Sequence, residues 1–62
     1  MKTLKVREYR KINGYNQEHL AQLLGIKQGS YSRKENGKRK FTFEEITKLK
    51  DIFKVTYDDL LN

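Results

Sequence analysis

Apolar residues along the chain recur at helical spacing in short runs, each closed by glycine or opened by a small polar residue. Val6, Tyr9 and Arg10 share one face of a first helix over Thr3–Asn13, with Gly14 as its stop. Asn16 is a suitable N-cap for a second helix, which carries Leu20, Ala21 and Leu24 on one face and ends at Gly25. A third is expected after Ile26, running to Asn36, with Gly37 at the left-handed C-terminal position. Thr42 and Glu45 have the capping-box spacing, and Phe43, Ile46, Leu49, Ile52 and Phe53 follow with helical period. Thr56–Asp59 repeats that device for a fifth, short helix containing Leu60 and Leu61. The acids in both first turns complement the helix dipoles.

The third helix breaks the pattern. Its only large apolar residue is Tyr31, and Gly29 and Ser30 are poor helix formers. Such a segment is hardly stable alone, so its neighbours must hold it and leave most of its surface outward. That surface offers Lys27, Gln28, Ser32, Arg33 and the bare backbone of Gly29. It has the character of a reading surface, because little on it can be buried.

Composition narrows the choice. A chain of 62 residues makes one domain, 1–62, with a small core and marginal stability. With no Cys there can be no disulfide or thiolate zinc site, so helix packing must carry the fold. No apolar run approaches a membrane span or a signal-peptide core, and a cytoplasmic protein is expected. Met1 and the well-defined last helix lead to the expectation of a complete chain.

The net charge of +6 is unevenly spread. Residues 1–40 hold eleven Lys and Arg against three Glu, a balance of +8, whereas residues 41–62 hold three Lys against five acids, a balance of −2. A basic part joined to a mildly acidic part suits a face for a polyanion and a tail that supports the fold. The stretch "SYSRKENGKRK", Ser30–Lys40, concentrates that charge with no aliphatic side chain at all.

Gln17–Asn36, "QEHLAQLLGIKQGSYSRKEN", followed by "GKRK", resembles the helix-turn-helix of the phage-repressor (Xre/Cro/CI-type) DNA-binding family. The resemblance extends from about Leu4 to Leu61 and implies an all-α, compact five-helix bundle of lambda-repressor type, with helices two and three as the motif. Ala21 then lies where those helices cross, Gly25 makes the tight turn, and Leu20, Leu24, Ile26 and Tyr31 pin the pair to the core. Glu35, in a last turn where a carboxylate opposes the dipole, is expected to pair with Arg10, partly buried, tying helix three to helix one. Two positions depart from the family. Lys27 stands where a Ser or Thr cap is usual. Lys34 stands where an apolar residue is common, its stem expected to pack and its ammonium to reach solvent or a phosphate.

The resemblance implies double-stranded DNA as the partner, and DNA binding divides into holding and reading. Phosphate contacts are expected from Asn16 and Gln17 at the N-terminus of helix two, from Ser30, and from Asn36, Lys38, Arg39 and Lys40. Base reading is expected from Gln28 toward adenine and Arg33 toward guanine, with Lys27 and Ser32 as further candidates on the recognition helix, about 28–36. One such module buries too little surface for tight specific binding, so a homodimer on a near-palindromic operator is expected, with repression as its role.

Catalysis has no support. Ser30 and Ser32 lack a base or an oxyanion pattern, His19 has no ligand partner, and no metal, cofactor or small-molecule site is evident. Tyr9, Tyr15 and Tyr57 read as core or rim residues. Two alternatives use the same residues differently: a protein–protein adaptor or antitoxin-like module on this scaffold, and a basic amphipathic membrane binder suggested by "KTLKVREYRK".

Overall fold

The structure is a computed structural model and describes residues 4–61. Its elements are α1 (Val6–Ile12), α2 (Gln17–Leu24), α3 (Gln28–Glu35), α4 (Phe43–Phe53) and α5 (Tyr57–Leu61), with no strand among the described residues. The expected start of the first helix at Thr3 lies outside them, but Leu4 and Lys5 are not helical, so α1 begins at Val6, later than the pattern suggests. None of these helices is long and apolar enough to cross a membrane.

Local chemistry sets the ends. Asn16 Oδ1 accepts the His19 amide at 2.7 Å and caps α2, and Gly25 closes that helix at φ 74°. The turn into α3 therefore uses the left-handed conformation that glycine adopts without penalty. Thr42 and Glu45 form a reciprocal capping box on α4, their side chains each bonding the other's backbone N–H. Thr56 and Asp59 make the same two bonds before α5, at 3.2 and 2.9 Å. Lys54, which ends α4 at φ 57°, is the one non-glycine residue with positive φ among the described residues.

Val6, Leu20, Ala21, Leu24, Tyr31, Leu49, Phe53 and Leu60 form the core, so every helix contributes. Ala21 is 2% exposed within the core, where a larger side chain would overpack its neighbours. Tyr9 stacks on Phe53 with ring centroids 6.0 Å apart and joins α1 to α4. The Lys5 amide donates to Leu60 O at 2.8 Å and ties the start of α1 to the last helix.

Two residues depart from the apolar pattern. Phe43 belongs to the expected series on α4 yet is 84% exposed. It lies six residues before Leu49, which at 3.6 residues per turn places it about 120° round the helix from that buried side chain. Glu45 takes the inward position instead. On α5, Leu60 is buried whereas its neighbour Leu61 is exposed.

Candidate nucleic-acid interface

α3 presents two chemically distinct sides. Tyr31 and Glu35, one turn apart, are its buried residues. Lys27, Gln28, Gly29 and Arg33 are exposed, and Ser30 and Ser32 are half-buried. Lys27 makes no capping hydrogen bond, so the first turn of α3 relies on its neighbours. A Cβ built on Gly29 would meet only Arg33 Nη1, at 4.0 Å, so the backbone there is open to approach from outside.

Glu35 fixes the orientation of this helix. Its side chain is fully buried, and four residues donate to it. Arg10 Nε lies 2.8 Å from Oε2 and Nη2 lies 3.3 Å from Oε1. Gln17 Nε2 and Arg7 Nε reach Oε1 at 3.1 and 3.3 Å, and the Tyr31 hydroxyl donates to Oε2 at 2.5 Å. Arg10 Nη1 also donates to Tyr15 O at 3.0 Å, so one guanidinium locks the α1–α2 turn and the end of α3 together. Burial pushes the Glu35 carboxyl up, but the hydrogen bonds from Arg10, Tyr31 and Gln17 outweigh it and hold it down at about 2. The Arg10 guanidinium is raised, mainly by its hydrogen bond to Glu35. The Tyr31 hydroxyl is raised first by burial and then by its bond to Glu35.

Several of the expected holding residues are already engaged within the fold. Asn16 spends its side-chain oxygen on the α2 cap, and Gln17 donates to Glu35. Asn36 Oδ1 accepts from Arg7 Nη2, and its Nδ2 reaches Ser32 Oγ at 3.5 Å. Lys38, Arg39 and Lys40 are exposed and form no ion pair among the described residues. The loop that bears them is folded back on α3, because the Lys38 and Arg39 amides both donate to Arg33 O, at 2.9 and 3.3 Å.

Lys34 corrects an expectation. Its ammonium is turned inward onto α4 and lies 2.7 Å from both carboxylate oxygens of Glu45, and the side chain is 12% exposed. Burial pushes the Glu45 carboxyl up, and the Lys34 and Thr42 bonds more than offset it and hold it low. The sequence does carry a signal for this pair. Glu45 stands at helical spacing with Leu49 and Ile52, and so belongs to the inward face of α4. The roles of Arg7, Gln17 and Tyr31 around Glu35 are less legible in the sequence, although Arg7 lies three residues before Arg10 and Tyr31 four before Glu35.

His19 packs edge-on against Tyr15, with centroids 5.0 Å apart, and is exposed. Tyr9 and Tyr15 pack against the core, whereas Tyr57 is 45% exposed. Among the described residues no group of His, Asp and Glu could hold a metal ion.

Known proteins give the arrangement its context. A helix-turn-helix family model matches residues 6–60. The HTH-type transcriptional regulator AnsR of Bacillus subtilis (strain 168) is 37% identical over 54 residues, which are 87% of this chain and 47% of that protein. The chain thus spans about half the length of this relative. No solved structure matches significantly. With nearly all of the described residues matched, and α2 and α3 packed as the motif requires, the chain belongs to the Xre-like helix-turn-helix family.

Proposed function

We propose that this chain is the sequence-specific, double-stranded DNA-binding module of a transcription regulator, acting as a repressor of phage, plasmid or mobile-element type. The observation that carries the reading is the division of α3: Glu35 and Tyr31 clamp it to the body, while Gln28, at its first turn, and Arg33 stay exposed. α3 enters the major groove with its N-terminal half toward the bases, Gln28 pairing with adenine and Arg33 with guanine, and Lys27 and Ser32 beside them. Ser30, Lys38, Arg39 and Lys40 hold the sugar–phosphate backbone, and Asn16, Gln17 and Asn36 add to that hold. The AnsR relative is named as a transcriptional regulator, which favours the same reading.

The module binds as a homodimer on a near-palindrome, with half-site centres about 34 Å apart. DNA as the partner implies the cytoplasm as the compartment. In vitro selection from randomised duplex DNA at near-physiological salt tests this. Enrichment of a two-fold symmetric motif is the expected result. A folded protein that enriches nothing would overturn it and move specificity to a protein partner.

A further inference from the structure

Lys34 and Glu45 form a contact with no part in the reading above. Lys34 lies in the last turn of α3, and Glu45 is the third residue of α4. Their side chains are 12% and 9% exposed, and no other hydrogen bond or ion pair joins α3 to α4 among the described residues. The same carboxylate accepts the Thr42 amide at 2.8 Å, so Lys34 plugs into the capping box that starts α4.

Between these two residues runs the basic loop, 36–42. At its start, Arg33 O holds the Lys38 and Arg39 amides. Toward its end, the Phe41 ring rests beside Tyr31, with centroids 6.1 Å apart. The ion pair closes the span by fixing the first turn of α4 against α3. A largely buried ion pair is weak evidence for net stability, because desolvation offsets much of the attraction. What it does supply is a fixed geometry between the two helices that flank Lys38, Arg39 and Lys40.

We propose that Lys34 and Glu45 are a positioning pair for the phosphate clamp, holding the basic loop where its cations face the same DNA backbone as the reading side of α3. The proposal rests on the DNA-binding reading, and it makes a prediction opposite in sign to simple charge counting. Removing the negative charge of Glu45 should, by electrostatics alone, favour a polyanion and release Lys34 to bind it. If the pair positions the loop, the same change weakens binding.

The test uses the full chain, a random-sequence duplex of about two helical turns, and fluorescence anisotropy at low salt, with urea midpoints confirming that each variant is folded. Glu45→Gln and Lys34→Met are expected to weaken binding about three- to tenfold, and Lys34→Arg to stay near the parent. Amide exchange at Lys38 and Arg39 should accelerate about tenfold in Lys34→Met while Leu49, in the core, is unchanged. Equal or tighter binding by Glu45→Gln, or unchanged exchange at the two loop amides, would overturn the proposal. If Glu45→Gln does not fold, Lys34→Met, which keeps the capping box, decides the matter through exchange at the two loop amides, since weaker binding is also what the loss of a cation predicts. Faster exchange at the loop in a protein that binds no duplex would defeat the DNA reading while showing that the pair does order the loop.

Discussion

Glu35→Gln removes one charge and almost no volume, and it strikes the point where α1, α2 and α3 meet. The carboxyl is held at about 2 against an ordinary 4.5, which corresponds to about 3 kcal/mol of native-state preference for the charged form. Breaking one partner out of a buried ion pair costs about 3–5 kcal/mol in general, so two routes to the magnitude agree. A domain of this length has about 3–9 kcal/mol in total. Glu35→Gln should therefore remove at least about a third of the total stability, and urea titration followed by far-UV circular dichroism measures it.

The pH dependence has a definite sign. A depressed carboxyl stabilises the fold fully above its unfolded value of 4.5, and that contribution is lost as pH falls toward 2. Glu45, also held low, acts in the same direction, so the difference between parent and Glu35→Gln isolates Glu35. That difference should be largest at neutral pH and shrink through the window from about 5 to about 2. A loss below about 1 kcal/mol at neutral pH, or parallel acid profiles, would refute the account of Glu35 as the charged centre of the fold.

Other perturbations separate fold from interface. Lys54→Gly relieves a left-handed residue at the end of α4 and should add about 0.5–1 kcal/mol by urea titration, with no change in DNA affinity; no gain would mean that Lys54 is unstrained. Arg33→Ala should relax preference at one base pair and cost about 1–3 kcal/mol there, and equal losses on every sequence would contradict base reading. Lys38→Ala should weaken binding on all sequences and reduce the salt slope by about one, whereas an unchanged slope would return Lys38 to a solvated loop. Gly29→Ala should stabilise α3 by up to about 1 kcal/mol, since the Cβ meets only the tip of Arg33, and should weaken DNA binding if the backbone approaches the groove closely there.

What the sequence made legible was chiefly what is local. Asn16, Gly25 and the Thr42–Glu45 box set helix ends through contacts within four residues, and such contacts are written in the spacing. The stop of α4 was silent because Lys54 adopts a glycine-like conformation without being glycine. Phe43, an apolar residue at the first position of a helix, looks periodic until the rotation is counted from Leu49. Around Glu35, the Arg10 contact was suggested by family resemblance, but the Arg7, Gln17 and Tyr31 bonds depend on how three helices converge. Lys34 looks like an outward cation in the sequence because its partner lies eleven residues on, across a loop whose path the residue types do not specify.

The inward clamp on α3 also bears on how such a protein could acquire a new target. Tyr31 and Glu35 tie the helix to the body, whereas the Gln28 and Arg33 side chains make no hydrogen bond to any described residue and a Cβ at Gly29 would meet only the tip of Arg33. The exposed set can thus be exchanged as a block while the helix keeps its seat. Retargeting would cost little stability, and a library randomised at these three positions should yield mostly folded members. A library at positions 10, 31 and 35 should yield mostly unfolded ones.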